Sequence, residues 1–470
     1  MAHIRIAKHY VHVPYLLLGT LDFFCLMAAL YLAAFFRFFG QLTLFMDAGL
    51  AILPSAAVFG FVNLLVMMAL GVHPSKMEEG LAGMMIRTIL AVIISVPVLA
   101  LAYFVASDWL WYLGGDGILA SASVFGLFLM GAARSLFFAI AGDQAFQRRV
   151  LVLGAGTRAE QLNEGFDTPF ARKGFTIIGF VPVEEEVVRV PEALLINPVE
   201  GLPEYVRKHP VDEIVVAVDD RRRNIQVDEL LECKMRGIPI IDAPAFYERE
   251  SRKVALEMIS KSWLVFADGY NGASVHGIGK RAIDLFTSLA LLAAAWPVML
   301  LTMLAIKLED GWKSPVFYLQ ERVGLNGIPF KVIKFRSMRT DAEKHGAMWA
   351  TKNDSRVTRV GDFIRKVRID ELPQILNVLK GDMSFVGPRP ERPVFVEKLA
   401  QSIPLYNERH RVKPGITGWA QMCFAYADSE EDTREKLRYD LYYIKNQSLL
   451  LDLLIIIQTV EVVLFKKGSR

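Results

Sequence analysis

Four apolar segments fill the first third of the chain, at residues 15–36, 48–72, 84–106 and 117–141, each near the length of helix that crosses hydrocarbon. In lipid the backbone amides and carbonyls must find partners within their own segment, so segments of this kind fold as helices. The chain is therefore expected to open with a membrane α-helical bundle of four transmembrane helices over residues 1–147. Composition agrees, with 53% hydrophobic residues over 470 positions, above the roughly 45–50% of soluble domains. Arg5 and Lys8 precede the first segment, Lys76 separates the second from the third, and Arg148 and Arg149 follow the fourth, whereas the other two loops carry little Lys or Arg beyond Arg37. The positive-inside rule then places both ends of the bundle in the cytoplasm. Asp22, Arg87 and Arg134 are read as lying near helix ends, where snorkelling or pairing accounts for them. The first segment outruns a signal-peptide core and no small-residue cleavage site follows, so it is expected to stay as an anchor.

Charge and cysteine usage narrow the function. The balance of 53 basic and 50 acidic residues, +3, argues for no nucleic-acid partner. Cys25, Cys233 and Cys423 are scattered with no CxxC pair, which excludes a disulfide scaffold and a cysteine-built zinc site and fits a reducing, cytoplasm-facing location.

Over residues 148–262 short β-branched runs alternate with charged, helix-forming stretches, the pattern of a parallel α/β unit. Strands are expected at 150–153, 176–181, 213–218 and 238–241. Gly154-Ala155-Gly156 followed by Ala159 is a G-x-G-x-x-A turn between strand and helix, where backbone amides can meet a pyrophosphate. The second strand ends in Phe180-Val181-Pro182-Val183 without a ribose-binding acid, which favours a structural Rossmann-like module over a live nucleotide site.

A further apolar run occupies residues 282–306, inside a third domain spanning 263–470. Lys280 and Arg281 precede it and Lys307 and Lys313 follow, so charge gives a crossing no direction. Pro297 removes a helical hydrogen bond inside the run. The expectation is a re-entrant membrane helix that breaks at Trp296-Pro297 and returns to the cytoplasmic face, against the alternative of a fifth crossing. Residues 449–465, with Asp452 and Glu461 spaced along them, read as an amphipathic helix at the membrane interface.

The chemistry gathers after Lys307. In Phe330–Arg339, alternation puts Lys334 and Arg336 on one strand face, two cations suited to a diphosphate. Arg356, Arg359, Arg365, Lys366 and Arg368 lead to the acid pair Asp370-Glu371. Carboxylates amid such cations are expected to be held ionised, which suits a nucleophile or a magnesium ligand. Arg389, fixed between Pro388 and Pro390, presents a guanidinium rigidly for phosphate contact or base stacking.

Lys334-Phe335-Arg336-Ser337-Met338, Asp370-Glu371-Leu372-Pro373-Gln374, Gly381-Asp382-Met383-Ser384-Phe385-Val386-Gly387-Pro388-Arg389-Pro390 and Lys413-Pro414-Gly415-Ile416-Thr417-Gly418 stand in an order that resembles the bacterial sugar transferases acting on polyprenyl phosphate, the monotopic phosphoglycosyl transferases. With the bundle and α/β module ahead of them, they resemble the long-form members that start exopolysaccharide or O-antigen synthesis. The resemblance implies a mixed, mainly α catalytic domain that moves hexose-1-phosphate from a UDP-sugar to undecaprenyl phosphate, with loss of UMP. It implies a covalent phosphosugar on Asp370, proton handling or metal binding by Glu371, and Mg2+ with Asp370 as its ligand. Arg365 matches a phosphate-binding arginine and Arg389 a donor-binding one, while Lys334 and Arg336 fall in the basic strand motif. The family's helix breaks at Ser-Pro where this chain has Trp296-Pro297, so only the kink carries over. The lipid bilayer of the bacterial cytoplasmic membrane is the implied partner surface, with the catalytic domain inside the cell, and a homo-oligomer is left open.

Two other readings compete. A membrane-anchored nucleotide-sensing scaffold would carry similar anchors but has no use for an acid pair beside arginines. A sugar-nucleotide epimerase would need a Tyr-x-x-x-Lys pair after the glycine-rich turn, and the module has none.

Overall fold

The computed structural model describes residues 3–6, 9–39, 45, 49–72, 80–106, 109–110, 117–145, 147–166, 174–184, 186–220, 227–259, 274–340, 356–424 and 429–464. The chain divides into two compact units, one running to Arg252 and the other, apart from Ala7–His9, beginning at Lys253.

In the first unit, α1 (Val13–Arg37), α2 (Ile52–Ala69), α3 (Gly80–Val105) and α4 (Ile118–Ala145) pack around Leu26, Leu30, Phe59, Met67, Val92 and Met130. Phe24, Phe61, Ile93, Leu101 and Phe128 point outward and are exposed, as a helix facing lipid requires. Among the described residues, four helices are long and apolar enough to cross a membrane: Leu16–Arg37, Met84–Val105, Ile118–Phe137 and Gly277–Asp310. Three of them match expected spans. The expected second span, 48–72, is instead the shorter helix α2 of 18 residues, about 27 Å long at ~1.5 Å per residue. It stops because the chain turns at Gly71, whose amide bonds Met68 while that of Val72 returns to the Met67 carbonyl. Arg87 donates to the Leu70 carbonyl at the same end.

Asp22 and Arg134 do not sit near helix ends. They lie well inside α1 and α4, wholly buried, joined by two hydrogen bonds of 3.0 and 2.6 Å. The Thr88 hydroxyl of α3 takes a third bond from Arg134 at 2.5 Å, so one guanidinium ties three helices together. Pairing is the reading that holds.

The α/β part of this unit carries β1 (Arg148–Leu153), β2 (Phe175–Val181), β3 (Glu213–Val216) and β4 (Ile240–Asp242), all parallel, in the order β2-β1-β3-β4. Each falls within two residues of its expected start. Helix α5 (Thr157–Gly165) follows β1 directly after the glycine-rich turn.

The second unit is built on α6 (Ser274–Asp310), a 37-residue helix that includes Pro297. The helix runs on through Trp296-Pro297 without the expected break. Met299 and Ile306 bury themselves against Phe335 and Ile364, while Phe286, Trp296, Leu301 and Leu304 stay exposed. The antiparallel hairpin β5 (Phe317–Val323) and β6 (Pro329–Phe335) follows, then α7 (Arg359–Lys366), α8 (Gln374–Lys380), β7 (Ser384–Val386) and β8 (Gly415–Thr417), the last two paired in parallel. Helices α9 (Glu430–Lys445) and α10 (Leu449–Leu464) close the unit. Asp452 of α10 does not mark an outer polar face: it is 1% exposed and bonds Lys280 at 2.9 Å and the Tyr443 hydroxyl at 2.6 Å. The other acid of that expected face, Glu461, has a side chain outside the described residues.

Candidate active site

The acid pair sits on a single 3-10 turn, Ile369–Glu371, between α7 and α8. Helix α7 is started by the Thr358 hydroxyl, which accepts from Gly361, and is followed by Arg368 in the left-handed region at φ 57. Ile369 and Leu372 are three residues apart, so they share one face of such a turn and pack against Phe335 and Ile306. Asp370 and Glu371, lying between them, are directed off that apolar face. Pro373 then opens α8, where its missing amide costs nothing.

Asn377 holds this turn to the hairpin, accepting from the Ile333 amide at 3.0 Å and donating to the Lys331 carbonyl at 2.8 Å. Lys334 is thereby brought to Glu371, with Nζ 3.0 Å from Oε1. The same oxygen accepts from Arg389 at 2.7 Å, and Arg368 lies 3.8 Å from Oε2.

The two carboxyls are pushed apart in acidity. Burial, then the charge of Glu371, raise Asp370 to about 6, against Lys334, Arg389 and Arg365. At Glu371 burial is outweighed by Arg389 and Lys334, which hold it well below the usual carboxylate range. Cations thus hold Glu371 ionised as expected, whereas at Asp370 burial and Glu371 outweigh them, and it is a carboxylate only above about pH 6. Lys334 and Arg389 both bond Glu371 directly, while at Asp370 burial, and after it the charge of Glu371, outweigh the same cations acting without a bond.

Arg389 is delivered by a rigid loop. The Gly387 amide donates to Thr417 and that of Gly415 to Pro388, both at 2.9 Å, so the strands approach too closely for a side chain: a Cβ on Gly387 would lie 2.4 Å from the Lys413 carbonyl. From α6, Asp284 accepts from the Ser384 hydroxyl and the Phe385 amide, each at 2.9 Å, and Lys280 donates to the Val386 carbonyl at 3.0 Å. Arg281 donates to the Val378 and Leu379 carbonyls at the end of α8. The start of the apolar helix therefore braces both α8, which follows the acid pair, and the strand that leads to Arg389.

The structure gathers Asp370, Glu371, Lys334, Arg365 and Arg389 of the expected residues. Arg336 goes elsewhere: it is 6% exposed and pairs with Asp310 at the end of α6, 2.7 Å away. Alternation failed here because β6 ends at Phe335, one residue before Arg336. Asn377 and Asp284 escaped the sequence reading, and Arg368 and Arg281 entered it only as members of cationic runs, since a polar residue reveals no partner until the chain is folded. Arg409 is buried between Asp440 at 2.8 Å and the Tyr406 hydroxyl at 2.7 Å. His410 beside it is pushed down to about 4 by burial and by Arg409.

In the other unit, the glycine-rich turn is occupied by the chain itself. Asp219 accepts from the Thr157 and Arg158 amides and Glu186 from the Ala155 amide, all at 2.8 Å, and the Asp219 amide donates to Glu186 at 3.1 Å. Gly154 adopts φ +116, and a Cβ there would meet the Ala217 carbonyl at 2.7 Å. Ala159 is buried one turn into α5. Carboxylates thus satisfy the amides that a phosphate would otherwise meet.

Among the described residues no group of three or more His, Cys, Asp or Glu side chains could hold a metal ion. The site is thus two adjacent carboxyls among Lys334, Arg365, Arg368 and Arg389, in the same compact unit as the long apolar helix. Residues 275–466 match the family model for the bacterial sugar transferases, and the chain belongs to that family. It is 43% identical over 241 residues, 51% of this chain and 56% of the relative, to the UDP-N-acetylgalactosamine-undecaprenyl-phosphate N-acetylgalactosaminephosphotransferase of Aeromonas hydrophila. It is 32% identical over 339 residues to the undecaprenyl-phosphate glucose phosphotransferase of Komagataeibacter xylinus, covering 68% of this chain and 60% of that one. It is 42% identical over 183 residues, 38% of this chain and 68% of the other, to the UDP-glucose:undecaprenyl-phosphate glucose-1-phosphate transferase of Caulobacter vibrioides. The matches with the Aeromonas and Komagataeibacter proteins thus span less than two thirds of those proteins.

Proposed function

We propose that this protein transfers a hexose-1-phosphate or N-acetylhexosamine-1-phosphate from a UDP-sugar to undecaprenyl phosphate, as the first membrane step of a polysaccharide pathway. The observation that carries the reading is the split pair: Glu371 pinned as a carboxylate by Lys334 and Arg389, beside an Asp370 that neither cation bonds. The names of the relatives supply the substrate class.

In this reading the ionised Asp370 attacks the sugar-bearing phosphorus of the donor. A bond forms from its oxygen to that phosphorus, the anhydride bond breaks, and the electron pair leaves with UMP. The phosphate oxygen of undecaprenyl phosphate then displaces Asp370, giving the diphosphate-linked lipid and regenerating the carboxylate. Arg389 and Arg365 hold the diphosphate, and Lys334 with Arg389 keeps Glu371 charged. Magnesium commonly binds through one or two carboxylates and substrate phosphates, and Asp370 with the donor diphosphate fits that requirement. The ion would neutralise charge developing on the departing phosphate.

A UDP-sugar is met in the cytoplasm, so the acid pair faces that side of the inner membrane. Both ends of α6 bond within one unit, Arg281 to α8 and Asp310 to Arg336, which supports a re-entrant helix bent near Pro297. The α/β module acts in assembly or regulation, supported by its self-filled turn and its lack of any dyad residue. The scaffold reading has no role for the polarised acid pair.

The test is UMP release by membranes supplied with undecaprenyl phosphate and a panel of UDP-sugars. Asp370→Asn is expected to lose activity at least about 10³-fold while remaining folded and inserted. Near-normal release in that variant would sink the assignment.

A further inference from the structure

Arg389 has two sides. Its guanidinium reaches Glu371 at 2.7 Å, while its carbonyl accepts from Arg409 at 3.0 Å, and both arginines line a cavity. That cavity has a volume of about 190 Å³. Pockets that enclose a whole small ligand run to roughly 300–1,000 Å³, so this one suits a fragment such as one heterocyclic ring. Phe395 and Leu399 form apolar walls, and Gln421, Thr433 and Lys436 supply a polar edge.

One atom of that edge is unsatisfied. Gln421 Oε1 is buried and has no hydrogen-bond partner among the described residues, a condition that costs free energy unless a donor arrives. Lys436, three residues from Thr433 on α9, is held below its usual range by burial and by Arg389. Arg409 pairs with Asp440 at 2.8 Å, and Arg389, Glu391 and Lys436 are the other charged residues of the lining. A flat group with apolar faces and a hydrogen-bonding rim complements this lining.

We propose that the cavity beyond Arg389 receives the uracil ring of the donor nucleotide, with Gln421 Oε1 accepting from the imide N–H of the base. The assignment rests on the transferase reading and deepens it. Arg389 bonds Glu371 and also lines the cavity, so one residue borders both, and in this proposal the nucleoside end of a donor whose sugar end is at Asp370 runs along it. Cytosine offers an acceptor where uracil offers the imide N–H, so it faces the Gln421 carbonyl unfavourably unless the amide turns over. Gln421 is then a specificity residue that never touches the reacting phosphorus.

The experiment measures binding of UMP and of CMP to the full chain in detergent micelles, alongside UMP release from UDP-sugars. Wild type is expected to prefer UMP. Gln421→Met, similar in length and lacking the acceptor, should weaken UMP about tenfold, raise donor KM in parallel and leave kcat near its starting value. CMP affinity should hardly move. Gln421→Glu retains an acceptor at the same place and should keep the preference, which guards against a mere folding defect. The proposal is overturned if Gln421→Met keeps the wild-type preference, or if it loses kcat with UMP affinity intact. A wild type that turns over no UDP-sugar and binds no UMP would bring down the transferase reading itself, and this inference with it.

Discussion

Asp370 and Glu371 are neighbours on one 3-10 turn, yet their surroundings assign them opposite acidities. An aspartate raised to about 6 is protonated below that pH, and a protonated carboxyl is no nucleophile. The kcat/KM for UMP release should therefore fall with unit slope as pH drops through about 6. Glu371→Gln removes the second-largest cause of the raised value and frees Lys334 and Arg389 to act on Asp370. In whatever activity that variant retains, the acid limb should move to lower pH; a limb that stays in place or rises would contradict the electrostatic account. The linkage sign follows as well. A raised acid favours the folded state while protonated, and this contribution is lost as pH climbs through about 6. At pH 7.5, Asp370→Asn should then be as stable as wild type or more so, by roughly 1–2 kcal/mol once solvent screening at a half-buried group is discounted. Thermal unfolding at pH 5 and pH 7.5 checks this, with the gain expected only at the higher pH.

At the scale of elements, the start of α6 is an internal brace for the catalytic loop. Asp284 is 4% exposed and satisfies both the Ser384 hydroxyl and the Phe385 amide. Asp284→Ala leaves these two buried donors without their acceptor, which should cost about 2–4 kcal/mol and loosen the presentation of Arg389. UMP release is expected to drop with a raised donor KM, and an unchanged KM in folded protein would show that the brace does not reach the site. The glycine-rich turn makes a second test. A Cβ on Gly156 would lie 2.5 Å from Asp219 Oδ2 and 2.7 Å from Glu186 Oε1, so Gly156→Val must displace the carboxylates that fill the turn. A stability loss of about 1–3 kcal/mol is expected, with UMP release per folded molecule close to wild type. A thermal shift of the wild-type chain by one nucleotide, abolished in Gly156→Val, would instead make the module a ligand sensor.

For the molecule as a whole, the re-entrant reading puts the residues after Asp310 on the same side of the membrane as those before the apolar helix. Ile278 and Lys313 are both exposed and flank the long apolar helix. Cysteines placed there, one at a time and in a background with Cys25, Cys233 and Cys423 replaced, should both resist an impermeant thiol reagent applied outside intact cells. Labelling of position 313 alone would establish a complete crossing and put the acid pair on the wrong side for a cytoplasmic donor.

Much of this was legible in the chain before it was folded. Apolar length announced the spanning helices, alternation located the four parallel strands to within two residues, and motif order brought Asp370, Glu371, Lys334, Arg365 and Arg389 forward as one site. These signals are local or serial, and local physics is written in spacing. What spacing could not say was which cation meets which acid. Lys334 and Arg336 are two residues apart and looked equivalent, but the strand ends between them and their partners are Glu371 and Asp310. Asp22 and Arg134 are separated by 112 positions, and only helix packing makes them one buried pair. Asp219 and Glu186 fill the glycine-rich turn because three parallel strands bring their carboxyl ends to one edge. Burial and partnership depend on contacts distant in sequence, so the split in acidity between two adjacent carboxyls was decided by the tertiary structure alone.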